Sequence, residues 1–133
     1  MAIIVDLPFP ISVNRIWRGS GRHVYRSKEY MAWINQAGLL WNVQKRGGTV
    51  LPSKGYPKSV ADITPIKGVY SLHIIFHPPD KRRRDIGNLE KVCSDFIQSV
   101  GLIEDDHYCR ELHLVYGSSN DAPYGARLTI ESV

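Results

Sequence analysis

The chain's densest set of groups able to do chemistry lies between residues 81 and 106. Lys81, Arg82, Arg83 and Arg84 form an unbroken run of cations that ends at Asp85, and further on Glu104, Asp105 and Asp106 stand together. Carboxylates are hard oxygen ligands, and two or three that converge bind Mg²⁺ or Mn²⁺. Such an ion activates water and steadies a phosphodiester oxyanion, and adjacent cations hold phosphates. The plain alternative is a solvated basic loop and a solvated acidic turn, the usual fate of charge runs.

What lies between the two ends decides whether they meet. Leu89, Val92, Cys93, Phe96, Ile97 and Val100 recur at helical spacing, which predicts an amphipathic helix. Asn88 fits its N-cap and Gly101 its left-handed C-terminal cap. At 1.5 Å per residue such a helix carries the chain roughly 18–20 Å. Asp85 and the Asp105/Asp106 pair share a site only if the segment after the helix folds back along it. Lys91 lies in the first turn, where its ammonium either contacts phosphate and developing charge or forms an i,i+4 ion pair with Asp95.

The string Arg83-Arg84-Asp85-Ile86-Gly87-Asn88-Leu89-Glu90-Lys91, followed by Asp95, Gly101 and Asp105-Asp106, resembles the RusA family of Holliday junction resolvases. The N-terminal Leu7-Pro8-Phe9-Pro10 and Asn14-Arg15 resemble that family's Leu-Pro-aromatic-Pro and Asn-Arg positions. The resemblance implies a homodimer that cuts four-way DNA junctions with two symmetric nicks, a twofold protein on a near-twofold substrate. It implies a divalent ion, Mg²⁺ with Mn²⁺ as the alternative, on Asp85 and Asp106 with Asp105 as helper. Lys91 would act at the scissile phosphate, and Asn14, Arg15, Arg82, Arg83 and Arg84 would bind DNA. One position departs: the family's second motif aspartate falls at Gly87, which has no side chain to ligate. A branched-DNA-binding protein with weak or absent cleavage is therefore the alternative function. A general metal nuclease or an RNA-binding protein is a more distant one.

With 133 residues, 43% hydrophobic and 23% charged, the chain reads as one domain, 1–133, with a core of its own. Its net charge of +4 suits a nucleic-acid surface. No apolar run is long enough for a bilayer and no signal peptide is recognised, so a cytoplasmic protein of a bacterium or its phage is expected, without a membrane partner. Cys93 falls on the helix's apolar face, as a reduced core thiol would. Ala2 to Leu7, Val69 to Phe76, His107 to Tyr116 and Ala126 to Ile130 read as strands. Ser27 caps a helix over about 28–45 whose inner stripe reads as Met31, Ile34, Gly38 and Trp41. Residues 11–27 read as a loop rich in arginine and aromatics, facing either DNA or the core. Residues 47–67 read as an irregular insert. His77 and His107 flank the expected site. Together these elements predict an α+β fold, a small mixed sheet with two main helices.

Overall fold

The computed structural model describes residues 2–45, 64–117 and 125–133. The expected insert, with Lys54 and Lys58, and the loop before the last strand therefore fall largely outside the described residues. The elements are β1 (Ala2–Leu7), β2 (Trp17–Ser20), β3 (His23–Arg26), α1 (Lys28–Gln44), β4 (Tyr70–His77), α2 (Glu90–Ser99), β5 (Cys109–Tyr116) and β6 (Gly125–Ser132), with short 3₁₀ turns at Val13–Arg15, Ile86–Asn88 and Asp106–Tyr108. The architecture is α+β, as expected.

A four-stranded sheet has the order β1-β6-β4-β5. β1 and β4 run antiparallel to β6, and β5 runs parallel to β4. The parallel pair requires a crossover, which α2 provides. Register lines up apolar rows across the sheet: Val5 pairs with Leu128, Leu128 with Ile74 and Ile74 with Leu114. Val5, Leu128 and Ile74 are wholly buried. Trp33 of α1 meets Phe96 of α2 edge-on at 5.8 Å, so both helices close on the same core.

Ser27 caps α1 as expected, accepting the Tyr30 N–H at 3.1 Å. The inner stripe is Tyr30, Trp33, Ala37, Trp41 and Gln44, while Met31 and Val43 are exposed. Trp41 lies on the inner face as expected, while Met31, Ile34 and Gly38 give way to their neighbours Tyr30, Trp33 and Ala37. The larger rings prevail because they bury more area and because the Trp33 indole N–H finds the Pro8 carbonyl at 3.1 Å. At its far end Gln44 reaches β1, accepting from the Asp6 N–H and donating to the Asp6 carbonyl. Since Gln44 holds both backbone groups of Asp6, Asp6 faces its partner Arg127 as a non-hydrogen-bonded pair, the type that brings cross-strand side chains closest. Their side chains form a bidentate ion pair at 2.6 and 2.8 Å.

Residues 17–26 are not a loop. β2 and β3 form a hairpin with Trp17 opposite Arg26 and Arg18 opposite Tyr25. The connection is Gly21-Arg22, with Gly21 at φ 61°, the glycine-first arrangement that two-residue hairpins favour.

Candidate functional site

The basic run leaves β4 through Pro78-Pro79 and turns about Asp80. One Asp80 oxygen accepts the Arg82 N–H at 2.9 Å and the other accepts Arg82 Nε at 3.1 Å. Arg84 Nη2 pairs with the same carboxylate at 2.7 Å. The Arg82 N–H first, and then Arg84, hold the Asp80 carboxyl below the usual carboxylate range. Arg84 also lies over the Phe9 ring, 5.0 Å from its centroid. Arg83 makes no hydrogen bond or ion pair with the described residues. The three arginines are thus unlike: Asp80 orients Arg82 and Arg84, and Arg83 stays available. A cleft of about 590 Å³ collects Asn14, Arg15, Arg82, Arg83, Arg84 and Asp85. Every residue expected to bind DNA lines this one cleft.

Asp85 opens the turn Ile86–Asn88, and its carboxylate caps nothing. Asn88 is not the N-cap of α2. The turn satisfies the backbone instead, with Asn88 N–H donating to Asp85 C=O at 3.0 Å and Leu89 N–H to Ile86 C=O at 3.1 Å. Leu89, 2% exposed, enters the core at the junction between the two helical segments.

The far end of α2 closes as expected. Gly101, at φ 81°, donates to Gln98 C=O at 3.0 Å, and Leu102 donates to Ile97 C=O at 2.9 Å. This pair of bonds is the Schellman arrangement. The chain then folds back along the helix. Asp106 N–H donates to the Gln98 side chain at 3.1 Å, and the Asp106 carboxylate meets Lys91 Nζ at 2.8 Å. The chain after α2 therefore does fold back along the helix, and Asp106 meets the Lys91 side chain that reaches from its first turn. Lys91 also pairs with Asp95 at 2.8 Å, the i,i+4 ion pair considered for it. Its ammonium is held protonated far above the ordinary lysine range, first by Asp106 and then by Asp95.

Asp105 is engaged elsewhere. Its carboxylate accepts the His107 N–H at 3.0 Å and pairs with His107 Nδ1 at 2.9 Å. The backbone N–H of His107 first, then its ring, lower the Asp105 carboxyl to about 2. Glu104 accepts the Gly68 N–H at 2.8 Å. Of the acidic triplet, Asp106 alone turns to Lys91.

Among the described residues no three His, Cys, Asp or Glu side chains converge as a metal cage. Mg²⁺ does not require one: it commonly takes one or two carboxylates and keeps several waters. Asp85, whose carboxylate accepts no hydrogen bond from the described residues, and Asp106 fit that donor set by chemistry. Gly87 has no positive φ, and a Cβ there would meet nothing within 4 Å. The glycine is therefore not needed for a sharp backbone turn.

Sequence reasoning missed Asp80, Phe9 and Gln98. Asp80 carried a signal, since a Pro-Pro-Asp preceding arginine favours a turn closed by the aspartate side chain. Phe9 stood within a recognised motif but without an assigned role. Gln98 carried no signal.

Fold and site together define an α+β domain that presents a cation-lined cleft next to exposed carboxylates, the electrostatic layout of a polyanion-binding surface. The chain belongs to the RusA family. It is 30% identical over 103 residues to the crossover junction endodeoxyribonuclease RusA of Escherichia coli K12, covering 77% of this chain and 72% of that protein. The namesake of Enterobacteria phage 82 is 29% identical over 102 residues, with the same coverage. That of Escherichia coli O139:H28 is 28% identical over 112 residues, covering 84% of this chain and 79% of the relative. No family model matches the chain.

Proposed function

We propose that the protein is a Holliday junction resolvase, a structure-specific endodeoxyribonuclease that acts as a homodimer on four-way DNA junctions. The observation that supports the proposal is the return of Asp106 along α2 to Lys91, with Asp85 lining the arginine cleft just before that helix. The names of the relatives support the substrate. Arg83, with Arg82 and Arg84 oriented by Asp80, grips the backbone, giving affinity without sequence information. Asn14 and Arg15 extend this grip along the cleft. Asp85 and Asp106 hold Mg²⁺, or Mn²⁺ in its place, and Asp105 is at most an auxiliary. When bound, the ion supplies an activated water and charge neutralisation at the phosphodiester. Lys91, kept protonated by Asp106 and Asp95, places a fixed positive charge where the phosphate becomes more negative.

The test is junction cleavage with and without Mg²⁺. Asp85→Asn should abolish Mg²⁺-dependent nicking and keep or tighten junction binding, since it removes a negative charge and preserves shape. Undiminished cleavage would remove Asp85 from the site.

A second reading is favoured by Gly87, which offers no carboxylate where the family's motif has an aspartate. On that reading the protein binds branched DNA and cuts it weakly or not at all. Junction binding that persists across an Mg²⁺ titration without product would select this reading.

A further inference from the structure

The hairpin of β2 and β3 projects from the domain. All of its strand residues are exposed, yet they include Trp17 at 56%, Val24 at 55% and Tyr25 at 60% exposure. A two-stranded hairpin is marginal in water without a packing partner, and large rings left in water gain nothing from it. The hairpin's root, by contrast, is fixed. Ser27 N–H donates to the carbonyl of buried Ile16 at 2.8 Å, and the Ser27 hydroxyl donates to Arg15 C=O at 2.6 Å. The surface is thus held at its base, and no element among the described residues covers it beyond that.

Its charge narrows what can cover it. Residues 17–26 include Arg18, Arg22 and Arg26 and no carboxylate. Glu29 faces Arg15 at 3.8 Å and Arg18 at 3.6 Å and offsets part of this charge. Arg26 lies 5.6 Å from the centroid of the Tyr30 ring. Register pairs Trp17 with Arg26 and Arg18 with Tyr25, and cross-strand partners share a face. Each face therefore combines one exposed ring with one guanidinium. A second copy of the same basic hairpin would be repelled. Duplex DNA offers phosphates but keeps its base faces stacked. An unpaired strand offers both a π-face for the ring and a phosphate for the guanidinium.

We propose that the β2–β3 hairpin is a docking site for unpaired nucleotides, which stack on Trp17 and Tyr25 with their phosphates on the flanking arginines. The inference extends the nuclease reading: Arg15 both lines the cleft and forms the hairpin's root, so the hairpin adjoins the cleft, and each of its faces offers one ring.

Trp17 is also the reporter, because Trp33 and Trp41 are only 5% and 8% exposed. The wild-type chain, without divalent ion, is titrated with a short oligothymidylate and with a duplex of equal length. The oligothymidylate should quench tryptophan emission saturably and shield it from acrylamide, and the duplex should not. Trp17→Leu should remove the quench, and Tyr25→Leu should weaken binding by about tenfold. Both variants should melt as wild type, since neither ring is in the core. Equal quenching by duplex, no quenching by oligothymidylate, or shielding of Trp17 by raised protein concentration alone would overturn the proposal. The same preparations are assayed on four-way junctions in Mg²⁺. Quenching without cleavage would leave the hairpin site standing and remove the nuclease reading, and cleavage without quenching would do the reverse.

Discussion

Two Asp-centred ion pairs in this molecule use the same chemistry to opposite ends. Asp6 and Arg127 are 0% and 4% exposed, paired through two bonds, with Gln44 satisfying the adjoining backbone. Asp106 and Lys91 are half-exposed, paired through one bond, and Lys91 is shared with Asp95. A buried pair costs desolvation that good geometry only repays, and losing one partner strands a charge. A half-exposed pair contributes little to stability and can exchange partners. The first pair fixes a register. On the proposed reading, the second admits a cation or a phosphate without unfolding anything.

Matched substitutions sharpen this contrast. Asp106→Asn should lower junction cleavage beyond the ~10³-fold upper end of what one electrostatic donor supplies, on the proposed reading. It should change stability by no more than about 1 kcal/mol, which denaturant titration beside a cleavage assay measures. Asp6→Asn should cost about 3–5 kcal/mol of stability, while material still folded at low temperature should cleave normally. A double replacement, Asp6→Leu with Arg127→Met, should regain most of that loss, as well-packed apolar substitutes for buried pairs often do. If Asp6→Asn silenced cleavage in protein that remained folded, the division between the two pairs would fail.

Smaller effects are expected around the cleft. Arg83→Ala should flatten the plot of log K against log salt for junction binding by about 0.9. Arg82→Ala and Arg84→Ala should each also loosen the turn around Asp80, so their slopes should change together with thermal stability. An Arg83→Ala slope equal to wild type would show that this side chain meets solvent only. The smallest effect is expected at position 87. Gly87→Asp should lower the Mg²⁺ concentration for half-maximal cleavage by roughly threefold to tenfold. It should leave melting unchanged, because a Cβ there meets open space. An unchanged metal dependence would show that position 87 faces away from the ion.

The sequence made legible those parts in which periodicity and burial agree. The apolar positions of α2 are right because Val92, Cys93 and Ile97 are wholly buried, and Gly101 ends the helix by its backbone geometry. The stripe of α1 was misread because apolar residues occur on both faces, and the choice rested on a tryptophan N–H bonding to Pro8, distant in sequence. The hairpin was missed because strands exposed on both faces show no alternation, although Gly21-Arg22 offered a turn signal. At the candidate site, the cation run and the carboxylates were legible by type. That Asp106 rather than Asp105 turns to Lys91 was not, because the choice depends on a local contact between Asp105 and His107.

Gln44 has a bearing on solubility. A strand at the rim of a sheet offers unpaired amide and carbonyl groups as a template for extraneous chains. At Asp6 the Gln44 carboxamide presents one acceptor and one donor, as the backbone of a neighbouring strand would. A single side chain on α1 thereby closes β1 to strand addition at that point, with no further strand and no charge placed on the rim. The helix that packs the core thus also covers one position of this edge.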